Sequence, residues 1–264
     1  MLERYGLRLL AHDHNSYSRR SAGRILGASS LRGVVATVVE LWRYPVKSLL
    51  GEELDEVEMN ERGLIGDRLY AVTDRGGKLG SGKTSARFRR LDGLFDLSAR
   101  DCGDHVLVTV PDGRELAVGN GELDSFLSER YGDDMRVARE SSVPHHDAAP
   151  LHLLTTSSLR WLADKLPESQ IDRRRFRPNV LLDGEGAGLV EDAWVGRRFG
   201  LGGAVVRVVD RTDRCVMTTN PQSELPQDPD VLRAVTELND ACLGVFAEVE
   251  QGGVVRVGDA LREL

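Results

Sequence analysis

The chain contains few cysteines, and those it has lie far apart. Its 264 residues include only three, Cys102, Cys215 and Cys242. Disulfide frameworks, iron–sulfur clusters and structural zinc sites need closely or regularly spaced cysteines. The spacing excludes these three kinds of site, and electrons for any redox reaction would have to come from another protein.

Long apolar runs are also missing. No stretch approaches the roughly 20 apolar residues of a membrane-spanning helix, and the first thirty residues lack the continuous apolar segment of a secretory signal. A net charge of −7 and a pI of about 5.5 argue against a general nucleic-acid-binding or membrane-binding surface. We therefore expect a soluble cytoplasmic protein with no nucleic-acid and no membrane partner.

From residue 34 onwards, short β-like runs alternate with turns, which predicts a β-rich α+β fold built from hairpins into barrels. Apolar residues at helical spacing predict helices at 122–131, 157–166 and 230–238, the second capped by Thr156 or Ser157. The predicted strands are 34–46, 69–73, 106–110, 115–118, 179–182 and 204–209, with a terminal hairpin of 244–250 and 254–257.

Three parts of the chain differ in character. Residues 1–33 show no convincing periodicity and are predicted to form a mobile extension. Residues 141–150, rich in serine and proline, look like a connector. We therefore predict one domain over 34–148 and a second over 149–264.

Cys215 is the strongest candidate for a functional residue. It follows an apolar run and lies among Arg211, Arg214 and several hydroxyl residues. Neighbouring arginines favour the ionised sulfur, and a thiolate is a soft ligand suited to a redox metal. The alternative interpretation is a small buried hydrophobic residue after a strand, which is the commoner role of an isolated cysteine.

A basic run, Ile171-Asp172-Arg173-Arg174-Arg175-Phe176-Arg177, is a second candidate. Most such runs are solvated loops. However, Pro178 moves Arg177 out of helical geometry and a strand follows, so Arg177 is predicted to lie at a strand entrance, where pocket residues often collect. His145 and His146 have no spaced partner, and we do not expect them to bind a metal.

Several motifs, taken in order, resemble one family. They are Trp42-Arg43-Tyr44-Pro45-Val46-Lys47-Ser48, Gly66-Asp67-Arg68-Leu69-Tyr70, Leu151-His152-Leu153-Leu154-Thr155-Thr156, Arg175-Phe176-Arg177-Pro178-Asn179-Val180, Glu191-Asp192-Ala193-Trp194, the segment around Cys215, and Val255-Arg256-Val257-Gly258-Asp259. The chain is similar to MOSC-domain proteins with an N-terminal MOSC-type β-barrel, the group that includes the mitochondrial amidoxime-reducing component and its bacterial relatives. The resemblance implies an N-terminal β-barrel domain packed on a C-terminal MOSC β-barrel domain.

The resemblance also implies a cofactor and its site. Proteins of this family hold a molybdenum–molybdopterin cofactor, with one cysteine as a metal ligand at the position of Cys215. The matching cofactor-binding positions are Lys47, Ser48, Arg68, Thr155, Arg177, Asn179, Asp213, Arg214 and Cys215. Other side chains are usual in the family at the positions of Thr155 and Asp213.

The implied function is a molybdenum-dependent oxidoreductase that reduces small N-hydroxylated compounds such as amidoximes and hydroxylamines. Its electrons would come from a separate protein of the ferredoxin, flavin reductase or cytochrome type, and Asp213 is a candidate proton donor. Two alternatives stay open: a sulfur carrier that uses a Cys215 persulfide, and a non-catalytic cofactor-binding protein.

Overall fold

The computed structural model describes residues 33–264, which form one compact unit. The predicted mobile extension therefore falls almost wholly on residues 1–32, outside the described chain. The strands of the described part are β1 (Val34–Arg43), β2 (Val46–Lys47), β3 (Glu52–Leu54), β4 (Glu56–Asn60), β5 (Gly63–Leu64), β6 (Tyr70–Asp74), β7 (Leu79–Ser81), β8 (Phe88–Arg90), β9 (Ser98–Asp101), β10 (Val106–Thr109), β11 (Glu115–Ala117), β12 (Met135–Arg139), β13 (Leu151–Thr155), β14 (Val180–Asp183), β15 (Arg198–Leu201), β16 (Ala204–Asp213), β17 (Cys242–Gln251), β18 (Gly253–Arg256) and β19 (Ala260–Glu263).

The same residues form three α-helices and several short 3-10 helices. The α-helices are α1 (Glu122–Tyr131), α2 (Thr156–Lys165) and α3 (Pro229–Asn239). The 3-10 helices are Leu94–Asp96, Arg173–Arg175, Val190–Trp194 and Val216–Thr219. None of the helices within residues 33–264 is long and apolar enough to cross a membrane.

Seven strands close into a barrel in the order β14, β13, β17, β16, β15, β19 and β1, and β1 pairs back onto β14. Alternation directs side chains inward: along β16, Ala204, Val206 and Val208 are buried and the residues between them are less so. These side chains belong to one apolar core with Leu153 of β13 and Val180 of β14. The barrel and the small number of helices confirm the predicted β-rich α+β class.

A second apolar core lies in the N-terminal part of the chain. There β12, β6, β7 and β8 form one sheet, which β2 joins through β6, and β9, β10 and β11 form another. Helix α1 contributes Leu123 and Leu127 to this core. Because β1 belongs to the barrel of mainly later strands, the predicted boundary at residue 148 does not separate the two sheet systems, and it stays a prediction.

Two details differ from the sequence-based expectations. The N-cap of α2 is Thr155, whose side chain accepts a hydrogen bond from the Ser158 amide, and not Thr156 or Ser157. The predicted terminal hairpin does not form, because β18 pairs with β4 (Val255 opposite Val57) while β17 pairs with β13 and β16. Strand β18 begins at Gly253, directly after β17, but its partner is distant in the sequence.

Candidate active site

Arg68 and Arg177 both lie against the ring of Tyr44. Their guanidinium carbons lie 4.8 and 4.1 Å from the ring centroid, and the Tyr44 hydroxyl donates to the Pro178 carbonyl at 3.2 Å. Arg68 also forms an ion pair with the fully buried Asp67. The two arginines come from positions far apart in the sequence, and the buried ring holds them together.

The backbone at these positions is unusual. Ser48, Arg68 and Arg177 have φ values of 67°, 49° and 55°, in the left-handed region that side-chain-bearing residues rarely adopt. Such conformations cost free energy and concentrate at functional sites. All three residues are among those predicted from the sequence to bind the cofactor.

Asn179 joins this arrangement to the barrel. Its Oδ1 accepts from the backbone N–H of His152 at 3.2 Å and from Arg68 Nη1 at 3.3 Å, while its Nδ2 donates to the Trp42 carbonyl at 3.2 Å. Asn179 is buried at the entrance of β14. Its amide therefore orients the Arg68 guanidinium and connects three strand ends.

Lys47 is a buried cation on the same side of the fold. Its Nζ pairs with Asp147 Oδ1 at 2.9 Å and lies 5.4 Å from the centroid of the Phe88 ring. Burial lowers the pKa of Lys47 to about 8, and Asp147 opposes the shift. Such a depressed pKa indicates that the charge is only partly compensated, so an added anion would stabilise the protonated form.

Arg214 lies immediately before Cys215. It donates from Nη2 to the Phe176 carbonyl at 2.6 Å, and its Nη1 lies 3.5 Å from His152 Nε2. Burial lowers the pKa of Arg214 to about 10, with Cys215 and Asp213 opposing the shift. Burial, with Arg214 next in importance, places the pKa of His152 well below its ordinary value, so His152 is a neutral partner in this contact.

Cys215 follows β16 and begins the 3-10 helix Val216–Thr219, with its carbonyl accepting from the Thr218 amide and hydroxyl at 3.0 and 2.9 Å. Its Sγ lies 3.9 Å from Lys83 Nζ. Lys83 also lies 4.9 Å from the Phe88 ring centroid and so shares that ring with Lys47. No motif of the sequence includes Lys83, so nothing in the sequence points to it as a site residue.

The chain next to Lys83 is fixed to the chain next to Cys215. The Gly82 amide lies 3.0 Å from Met217 Sδ, which also lies within 3.6 Å of the Ser81 hydroxyl. A Cβ at Gly82 would lie 2.6 Å from this sulfur and closer still to the Asn220 amide nitrogen. Only glycine permits this approach, and we call the contact of Gly82 with Met217 the Gly82–Met217 clasp.

The remaining predicted residues lie elsewhere or are exposed. The Thr155 hydroxyl donates to Glu191 Oε2 at 2.7 Å in a buried network with Ser158. Asp213 is exposed at the end of β16, opposite Cys242. The structure thus brings Lys47, Arg68, Arg177, Asn179, Arg214 and Cys215 together through shared neighbours and gives Thr155 a structural environment.

His145 and His146 are buried in the connector. Burial lowers the pKa of both imidazoles, that of His146 to about 4. Across residues 33–264, no three His, Cys, Asp or Glu side chains converge in a way that could hold a metal ion.

The site has more buried positive charge than its own carboxylates compensate. Arg177 and Arg214 form no ion pair with a carboxylate of the described chain, and Arg177 Nη2 and Arg214 Nε are buried without a hydrogen-bond partner there. Burial lowers the pKa of Arg177 to about 10. Fixed, dehydrated guanidinium groups of this kind suit a phosphate or another multivalent anion.

Comparison with known proteins gives matches over most of the chain. Residues 35–149 match the family model of the MOSC N-terminal beta barrel domain, and residues 140–262 match that of the MOSC domain. Mitochondrial amidoxime reducing component 2 of Bos taurus is 22% identical over 87% of this chain and 84% of its own length, and the Homo sapiens protein of that name is 25% identical over 85% and 82%. The crystal structure of the YUAD protein from Bacillus subtilis is 14% identical and covers 87% of this chain and 96% of that one, with a TM-score of 0.49.

Proposed function

The chain belongs to the MOSC-domain proteins that carry an N-terminal MOSC β-barrel domain, and from this we propose that it is a molybdenum-cofactor-dependent reductase of small N-hydroxylated compounds. The observation that carries the proposal is a group of cations, the buried Lys47 and the half-buried Arg68, Arg177 and Arg214, that shares its neighbours with one thiol, Cys215. The relatives' name, amidoxime reducing component, supports the substrate class.

The side chains present fit an anionic cofactor. The orphaned Arg177 Nη2 and Arg214 Nε and the depressed pKa of Lys47 all indicate groups that an anion would stabilise. Lys47, Arg177 and Arg214 would hold the phosphate end of a molybdenum–molybdopterin, Arg68 and Asn179 would orient it, and the Cys215 sulfur would bind the metal. Ser48, with its strained backbone, would present polar groups to the same anion.

When bound, the cofactor supplies the redox chemistry that removes oxygen from an N–OH group. The overall reaction uses two electrons from a separate donor protein and two protons, and it yields the reduced nitrogen compound and water. Lys83 would place a positive charge beside the Cys215 sulfur, and the exposed Asp213 is a candidate to pass protons in from solvent.

Metal and pterin analysis tests the proposal. The chain is purified from a host that makes the molybdenum cofactor, as wild type, Cys215→Ser and the matched control Cys242→Ser. We expect near-stoichiometric molybdenum and pterin in wild type and Cys242→Ser, loss or a changed spectrum in Cys215→Ser, and reduction of benzamidoxime by the loaded wild type with a supplied electron donor. The proposal is rejected if wild type contains neither molybdenum nor pterin while a control protein from the same host does contain the cofactor. That result would favour a Cys215 persulfide carrier.

A further inference from the structure

The ion pair between Lys47 and Asp147 is asymmetric in its exposure to solvent. The two charged groups lie 2.9 Å apart, and their side chains are 6% and 62% exposed, respectively. Asp147 is the one carboxylate that pairs with Lys47 within residues 33–264. A buried cation that loses its partner destabilises a protein, whereas an exposed carboxylate that is released regains its full hydration. Of the two partners, only Asp147 can therefore leave easily, and only if another anion takes its place.

The Asp147 carboxylate also acts on cations that it does not contact. Burial would raise the pKa of Asp147, but neighbouring cations, with Lys47 the strongest, outweigh burial and lower it. Burial lowers the pKa of Arg177 and of Arg214 to about 10, and Asp147 is among the charges that oppose both shifts. The cations that interact electrostatically with this one carboxylate are Lys47, Arg68, Lys83, Arg177 and Arg214.

The backbone that carries Asp147 is held in place on its N-terminal side. Arg87 Nη2 donates to the Pro144 carbonyl at 2.7 Å, and the Glu140 carboxylate accepts from the His145 amide at 3.0 Å. Both histidines of the connector are buried. The carboxylate is thus tethered next to the cations, at a high effective concentration, while its own side chain stays free to rotate into solvent.

We propose that Asp147 is an internal competitor for the anion site, whose carboxylate neutralises Lys47 in the cofactor-free chain and is displaced by a ligand with several negative charges. Such a ligand interacts with several of the cations at once and so outcompetes the tethered carboxylate, whereas a free monovalent anion does not. Asp147 is therefore a specificity-determining residue of the site. In taking the ligand to be the phosphate of the cofactor, the inference rests on the proposed function; the competition itself does not.

The test uses the full-length chain from a host that cannot make the cofactor, with inorganic pyrophosphate as the multivalent probe. Asp147→Asn keeps the shape of the side chain and removes its charge. In titration calorimetry we expect this variant to bind pyrophosphate about tenfold more tightly than wild type. The exposed control Asp164→Asn should bind it as wild type does. Equal binding by Asp147→Asn and wild type, or binding by neither, overturns the inference.

A second variant separates displacement from a general effect of charge. Asp147→Asn combined with Ala148→Asp keeps the net charge of the connector but moves the carboxylate to the next position, which is also exposed. Direct competition predicts that this double variant still binds pyrophosphate more tightly than wild type. An affinity equal to that of wild type would mean that only the charge of the connector matters, and would overturn the inference.

Unfolding midpoints test whether Lys47 in the variant lacks a carboxylate. Asp147→Asn should unfold at a lower temperature than wild type at pH 7, because Lys47 has lost its partner. Acetate carries the same chemical group without the tether, so it should raise the midpoint of the variant. Wild type should be stabilised by pyrophosphate and not by acetate. An acetate response that is the same in both proteins contradicts the competition.

None of these measurements uses molybdenum, so this inference and the proposed function fail separately. A chain that acquires molybdenum and pterin, but whose Asp147→Asn variant gains no affinity for pyrophosphate, overturns this inference alone. A chain whose variant gains that affinity, but which never acquires molybdenum, overturns the proposed function alone and leaves a site for another multivalent anion.

Discussion

Lys83 Nζ lies 3.9 Å from the Sγ of Cys215, although 132 positions separate the two residues in the sequence. The ammonium group belongs to the N-terminal sheet system and the thiol to the end of a barrel strand. The reactive side of Cys215 is therefore partly formed by the other half of the chain.

Replacing Lys83 with Gln should change how Cys215 discriminates between charged reagents. A positive charge at this distance attracts an anion, so the variant should lose roughly three- to tenfold of its alkylation rate with anionic iodoacetate relative to neutral iodoacetamide. Peptide mass spectrometry at Cys215 measures both rates in the cofactor-free chain. The exposed Lys78→Gln is the control, and an unchanged ratio in Lys83→Gln would show that the ammonium exerts no local field.

Gly82→Ala should open the Gly82–Met217 clasp. The added methyl group overlaps Met217 Sδ and the Asn220 amide, and overpacking of this kind costs about 1–3 kcal/mol. Denaturant unfolding measures the loss, with Gly200→Ala as the control because its Cβ would meet its nearest atom at 3.7 Å. If the two variants have the same free energy of unfolding, Met217 and Asn220 can move aside for the added methyl group without destabilising the protein.

Lys47→Met should stabilise the cofactor-free chain at pH 7 by up to about 3 kcal/mol, because burial lowers the pKa of Lys47 from 10.5 to about 8. Between these two values the folded chain binds fewer protons than the unfolded chain, so wild-type stability rises with pH. The destabilisation caused by burying the charged Lys47 is fully present below pH 8 and disappears towards pH 10.5. The stability of Lys47→Met relative to wild type should therefore decrease over that pH range.

Free energies of unfolding at pH 7 and pH 10 measure this, with the exposed Lys165→Met as the control. An advantage that is the same at both pH values would assign the effect to packing and not to charge. The same variant should acquire less cofactor from a host that makes it, since Lys47 would hold the anion.

Glu191→Gln should remove the pH-dependent loss of stability that comes from ionising a buried carboxyl group. Burial raises the pKa of Glu191 above 4.5, while hydrogen bonds from Ser158 and Thr155 oppose the rise. Because the folded pKa is raised, the wild-type chain loses stability as pH increases from 4.5 through the folded value. The stability of the variant relative to wild type should therefore grow between pH 4.5 and pH 7.5 in denaturant unfolding. A stability difference that is independent of pH would contradict this. The exposed control Glu168→Gln should show no such pH-dependent change.

Local sequence signals predicted the elements whose formation depends on nearby residues. Helix α1 has the predicted bounds because Leu123 and Leu127 repeat at helical spacing and both are buried. The entrance of β14 was also predicted, since Pro178 limits the conformation before it and places Arg177 where the strand begins.

Features that depend on distant partners were not predictable. Nothing near Lys83 in the sequence indicates Cys215, because their contact arises only when the loop after β7 packs against the end of β16. The wrong terminal hairpin has the same cause: β18 prefers β4 to its sequence neighbour, and a single sequence does not show that choice.

Closure of the barrel by β1 also bears on how the chain is made. Thr37 pairs with Ala260 and Leu41 with Val180, so this early strand has partners that the ribosome delivers only much later. Of the partners of β1 only β3, which pairs with residues 41–43, follows early in the chain. The rest of this apolar strand stays unpaired until the late strands are made, and loop-closure entropy makes such distant pairing slow. The barrel can close only after its last strands have been synthesised, so chain elongation limits when it forms. During synthesis β1 is an exposed apolar strand of the kind that ribosome-associated chaperones protect from aggregation.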